Sequence, residues 1–177
     1  MPQAFPPLSA NPKNLVAWPD RLAVAPDGSR LLVPLNLADA AAIVDTATRA
    51  VRYVPTGDYP YGAAITRNGR YGLVSNEAPG TVSVIDLAAG TKVKDIKVGA
   101  QFSHPEGIAL DPKADRAYVA IANSDQVAVL DTKALRLLRT LSVERPQGLG
   151  TSPVDVAVTP DGTRLWVAEA GGDELAA

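Results

Sequence analysis

The sequence has no cysteine, which excludes disulfides, thiol catalysis and cysteine-ligated zinc together. Its single histidine, His104, argues against centres built from several imidazoles, such as multi-histidine copper or haem sites. Aromatic residues make up only 5% of a chain that is 46% hydrophobic, so Val, Ala and Leu must do the packing. The formal charge is −2 and the pI about 5.4, with no basic stretch, and nucleic acid is not expected as a partner. No apolar run reaches the roughly 18 residues of a membrane helix. The N-terminal MPQAFPPLSANPKNLVAW has no charged segment followed by an apolar core, so no signal peptide is read there. P-loop, HExxH and paired CxxC motifs are also missing. GLGTSP from Gly148 has two glycines and then a proline in place of a helix start, which makes it a loop and not a phosphate cradle.

What the 177 residues do contain is a repeat. Units begin at Pro19, Pro60, Pro105 and Pro153, spaced by 41, 45 and 48 residues. Seven places after each anchor stands Pro26, Arg67, Pro112 or Pro160, followed by the turns Asp27-Gly28, Asn68-Gly69, Ala114-Asp115 and Asp161-Gly162. An arginine comes next (Arg30, Arg70, Arg116, Arg164), and then an apolar strand: LLVPL, YGLVS, AYVAIA or LWVAEA. Asp45, Asp86 and Asp131 each close a further strand 26 places after their anchor. The second unit reads as strands over 62–66, 71–76, 81–86 and 92–98, with Asn68-Gly69 as a tight hairpin turn. The first strands, LAVA and VAVT, are small and nearly continuous, which predicts burial near an axis where backbones crowd. Four short strands per unit of 40 to 45 residues define the blades of an all-β propeller. A β-sandwich would not repeat its turn residues at a fixed period.

The division that follows is an extended N-terminal segment, 1–18, and a partial propeller, 19–177, with units at about 19–59, 60–104, 105–152 and 153–177. The first segment, with four prolines before residue 18, is expected to pair with a blade edge as a closing strand. The long joint at 144–152 is expected to be a surface loop. The fourth unit's closing Asp would fall at position 179, which puts Glu174–Ala177 in the middle of a third strand. The propeller is therefore expected to be incomplete, with three blades, part of a fourth and two bare flanks. That predicts a truncated product or self-association through open blade edges.

The elements RLLVPLN, YGLVSN and AYVAIAN, each followed by AIVD, VSVID or VAVLD, resemble the YVTN family of β-propeller repeats, in the wider WD-repeat-like class. The joint SVERPQGLGTSPVDVAVTPDGTRLWVAEAGGDELA after NSDQVAVLDT is similar to the N-terminal propeller of bacterial proteins that carry an alkaline-phosphatase-like phosphoesterase domain after it. The resemblance implies a periplasmic or extracellular setting. It carries over no catalytic residue, since the metal and nucleophile motifs of that family have no counterpart here.

The candidate site residues are acidic. Asp20 and Glu106 directly follow their anchor prolines and Asp155 follows its own by two, so all three fall on first strands that line a central channel. Together they could hold a hard divalent cation such as calcium through oxygen ligands. The matching place in the second unit, Tyr61, has no charge. The simpler account, favoured on the sequence, is that they are solvated turn residues pairing with neighbours such as Arg21. His104, in Ser103-His104-Pro105-Glu106-Gly107, joins them as a candidate ligand, while its place before an anchor proline is explained by structure alone. The recurring Asp45, Asp86 and Asp131 read as turn caps, because a catalytic group is not needed once per blade. Trp18 is a candidate platform for a ligand, and Trp166 aligns with Tyr118 inside a strand and is assigned to the core. The leading functional reading is a non-catalytic scaffold that binds a protein, a neighbouring domain or a small ligand at the channel mouth, with no cofactor required. The alternatives are an accessory propeller of a phosphoesterase, and a metal-assisted lactonase-type hydrolase using the channel acids.

Overall fold

The computed structural model describes residues 17–145 and 150–177. Each unit is an antiparallel meander, with strands paired in sequence order. Blade 1 comprises β1 (Ala23–Val24), β2 (Arg30–Leu35), β3 (Ala40–Asp45) and β4 (Val51–Pro55). Blade 2 comprises β5 (Pro60–Ile65), β6 (Tyr71–Asn76), β7 (Thr81–Asp86) and β8 (Thr91–Lys97). Blade 3 comprises β9 (Pro105–Leu110), β10 (Arg116–Ile121), β11 (Gln126–Asp131) and β12 (Arg136–Ser142). Blade 4 has three strands, β13 (Pro153–Val158), β14 (Leu165–Glu169) and β15 (Glu174–Ala176). This is an incomplete β-propeller, and β15 is the partial third strand that the repeat frame predicts.

The anchor prolines open β5, β9 and β13, the strand position where a missing N–H is tolerated. Just after each anchor the pairing slips. Tyr61-Gly62 lie opposite a single residue of β6, and Glu106-Gly107 opposite a single residue of β10. β13 carries one extra residue, Val154. Bulges of this kind bend a strand and re-aim its side chains. The turn aspartates behave as read: Asp45 accepts the N–H groups of Ala47 and Thr48, Asp86 those of Ala88 and Ala89, and Asp131 those of Lys133 and Ala134.

The core lies between blades. Leu32, Ile43 and Val54 of blade 1 meet Ile65, Val74 and Ile85 of blade 2. On the other side of blade 2, Leu73, Val82 and Val84 meet Val119, Ala128 and Leu130 of blade 3. Ala120 and Val127 then meet Val156 and Val167 of blade 4. The period-two alternation of each strand serves both interfaces, and each buried aliphatic side chain contributes about 1.5–3 kcal/mol.

Four expectations need correction or division. Neither first strand expected to be buried is so throughout: in blade 1 Leu22 and Val24 are exposed, because β1 is two residues long and stands at the end of the arc, and in VAVT of blade 4 Val156 is buried while Ala157 is exposed. The outward face of blade 1 is not bare, since Val33, Leu35, Ala42 and Val44 are buried there with Ala17 packed against them. Trp166 is not a core residue and lies 37% exposed on the incomplete blade. The joint after blade 3 is not wholly surface: Thr151 is fully buried, with its N–H and hydroxyl donating to Asp125. The closing strand expected from the N-terminal segment falls on residues 1–16, outside the described residues, as do 146–149 of the joint.

Candidate functional site

Four loops carry the same local geometry at one end of the channel. The residues before the anchors, Trp18, Tyr59, His104 and Ser152, all have positive φ (47°, 52°, 53° and 49°). Each offers its carbonyl to the N–H just past the second strand or its bridge: Asn36, Glu77, Ala122 and Ala170. In blades 2 and 3 this brace also places chemistry. The Glu77 N–H donates to Tyr59 O at 3.0 Å, and the His104 N–H donates to Glu77 O at 3.3 Å. Glu77, just past β6 of blade 2, is thereby held against His104, just before β9 of blade 3.

Glu106 is fixed by a different device. The Ser75 hydroxyl, fully buried on β6, donates to the Glu106 carbonyl at 2.6 Å and accepts the Gly62 N–H at 2.8 Å. Blades 2 and 3 approach so closely here that a Cβ on Gly62 would overlap the Glu106 carbonyl. A Cβ on Gly107 would likewise overlap Asp155 of blade 4. Glycine at these two bulge positions lets three first strands converge on the channel.

The result is a set of three half-buried side chains, Glu77, His104 and Glu106, whose ligating atoms all lie within 4.8 Å of one another. Among the described residues, no ion pair or side-chain hydrogen bond neutralises either glutamate. Burial pushes the Glu106 carboxyl up to about 7; the charges of Glu77, Asp155 and Asp20 add to the rise, and Arg21 opposes it. Burial also raises the Glu77 carboxyl, with His104 opposing and Asp20 reinforcing the shift.

Of the four residues singled out in the sequence, the structure brings His104 and Glu106 together. Asp155 is engaged elsewhere, in an ion pair with Arg21, whose guanidinium reaches from blade 1 and lies 5.4 Å from the Tyr61 ring centroid. Asp20 is half-buried beside them, accepts the Arg21 N–H at 3.0 Å, and is not part of the close set. Glu77 was missed. It stands one residue past a second strand, 17 places after its anchor, where the other units have Asn36, Ala122 and Ala170. A carboxylate at a position where no other unit has one is the signal that could have found it.

A cleft of about 240 Å³ opens beside the set, lined by Glu77, His104, Ala78, Tyr59 and Phe102. Tyr59 is 49% exposed and Phe102 59% exposed, and both sit at positive φ. Trp18, at the matching position on blade 1, is 61% exposed. A larger cleft of about 680 Å³ lies between blades 3 and 4 and is lined by none of these groups.

Fold and site together define a β-propeller with an acidic, aromatic-rimmed channel mouth. No protein-family model matches the sequence, and no curated protein sequence matches it. Among solved structures, the chain is similar to hydrazine synthase from Kuenenia stuttgartiensis, with 28% identity and a TM-score of 0.77, covering 87% of this chain and 42% of that one. It is also similar to a catalytically inactive histidine-to-alanine variant of virginiamycin B lyase from Staphylococcus aureus with quinupristin. That match has 15% identity and a TM-score of 0.76, and covers 92% of this chain and 52% of that one. The chain thus spans about half the length of these neighbours or less.

Proposed function

We propose that this chain is a non-catalytic β-propeller scaffold of the YVTN type that binds a ligand or partner at the channel mouth, on the face where blades 2 and 3 meet. One observation carries the reading. Tyr59 and Phe102 are bulky residues held at positive φ with their rings in solvent. Such a backbone costs about 1–3 kcal/mol for a non-glycine residue. An exposed ring returns little of that to the fold, so selection for a contact explains it better than selection for stability. Glu77 and Glu106 beneath the rim make an acidic patch that a cationic group relieves, either a bound ion or a basic group of the partner, beside a partly apolar cleft.

The test is affinity capture from the source cells with the wild-type chain and with a Tyr59→Asn/Phe102→Asn double variant, Asn being tolerant of positive φ. The variant is expected to melt no lower than the wild type and to lose the partner that the wild type retains. Retention of the same partner by both proteins would contradict the reading. The metal-assisted hydrolase is the rival that the histidine and two glutamates favour. Lactone turnover by the purified chain that disappears in Glu106→Gln would overturn the non-catalytic proposal.

A further inference from the structure

We propose that Glu77, His104 and Glu106 bind one divalent first-row transition-metal ion at the channel mouth, with open coordination positions facing the Tyr59–Phe102 cleft. The inference rests on the reading of this face as the binding surface and names what would hold a ligand there.

The donor set decides the class of ion. One imidazole nitrogen with two carboxylates is a mixed nitrogen and oxygen set, which suits zinc, manganese, cobalt or iron better than calcium, an ion that takes six to eight oxygens. The calcium site expected from Asp20, Glu106 and Asp155 would have been all oxygen, and Arg21 already occupies Asp155. Three protein ligands leave room for solvent or a ligand atom, as open sites do. The 240 Å³ cleft lined by Glu77 and His104 supplies that room.

The spacing fits with a small closure. Donors about 2.0–2.2 Å from a shared tetrahedral ion stand roughly 3.3–3.6 Å apart. The present set lies within 4.8 Å, so loading needs any two donors to close by at most about 1.5 Å, in side chains that are only half-buried. The backbone needs no movement. The Glu77 and His104 main chains are hydrogen-bonded to each other, His104 O accepts the Ala122 N–H, and Glu106 O accepts from Ser75. The backbone positions of the three residues are therefore set before the ion arrives. Two carboxylates facing one another, neither in an ion pair among the described residues, are also the arrangement that a dication relieves.

The experiment uses the untagged, chelator-treated chain titrated with cobalt(II), followed by calorimetry and by visible absorption. One ion per chain is expected, with d–d bands that zinc abolishes and calcium does not. His104→Asn, Glu77→Gln and Glu106→Gln should each weaken binding at least as much as the roughly 10–100-fold lost on removing an outer-sphere partner. Glu144→Gln, outside the set, should bind as the wild type does. Melting curves show whether each variant is folded, and the two conservative Gln variants decide the matter if His104→Asn is not. Absence of saturable binding below millimolar cobalt would overturn the proposal. So would binding that all three variants retain, or calcium binding of equal strength that ignores His104→Asn. If cobalt fails to bind while Tyr59→Asn/Phe102→Asn still loses its partner, only the metal is refuted and the binding face stands.

Discussion

Ser75 shows how much of the site depends on a residue with no chemistry of its own. Its hydroxyl joins the buried Gly62 N–H of one blade to the part-buried Glu106 carbonyl of the next. Ser75→Ala would strand both groups, and a buried unsatisfied partner costs about 1–3 kcal/mol. Urea denaturation should show a loss of that order, while Ser29→Ala, in an exposed turn, should change stability much less. Glu106 makes a second claim at this scale. Its folded carboxyl titrates near 7, above the ordinary range, so the folded chain holds its proton more tightly than the unfolded chain does. That contribution is fully present below the unfolded value of about 4.3 and is lost as the pH rises through 7. In chelated protein, the urea midpoint should therefore fall between pH 5 and pH 8 by more in the wild type than in Glu106→Gln. Parallel profiles would show that Glu106 is not buried among other acids.

At the scale of the element, the blade-to-blade clasp matters more than the blade. Asp125, in the loop between β10 and β11, accepts the N–H groups of Thr151 and Ser152 and the Thr151 hydroxyl, and so fastens blade 4 to blade 3. Asp39 does the same for blade 2 by accepting the Tyr59 N–H. Asp125→Ala should raise amide exchange in β13 and β14 while leaving β5–β8 protected; uniform exchange across the chain would contradict a local clasp. The two clasps share one place in the repeat, 20 residues after the anchor, where the other units have Gly80 and Asp173, and all four residues have positive φ. The recurrence was present in the sequence beside the one at 26 places. The second was legible because an aspartate after an alternating strand caps its own turn, two or three residues away. The first was not, because its partner lies in the next blade. The bulges were hidden for a related reason: two residues against one can be counted only when the pairing strand is known. Hence Glu106 could be nominated from its first-strand position and His104 as the lone histidine at a blade entry, but Glu77, just past a second strand, could not.

For the whole molecule, the arc has two unlike ends. The outward face of blade 1 is buried, whereas blade 4 presents β15 as an edge strand, with Leu175 70% exposed and Trp166 beside it in the same sheet. Edges of this kind invite pairing. The 177-residue chain, prepared alone, is expected to show a mass that rises with concentration by size-exclusion chromatography with light scattering, and Leu175→Lys should suppress the rise. A monomer at every concentration would contradict this. The channel mouth, in contrast, draws on all four blades. Asp20 and Arg21 come from blade 1, Glu77 from blade 2, Glu106 from blade 3 and Asp155 from blade 4, and each of the other four bears on the Glu106 proton. The proton affinity of that one carboxyl therefore reports whether the arc assembles a single acidic site. The most direct measurement is a ¹³C NMR titration of the Glu106 side-chain carboxyl in metal-free protein, repeated in Glu77→Gln. The convergent site requires a midpoint near 7 that drops when Glu77 is neutralised. A midpoint in the ordinary glutamate range, about 4.3, unmoved by Glu77→Gln, would contradict it.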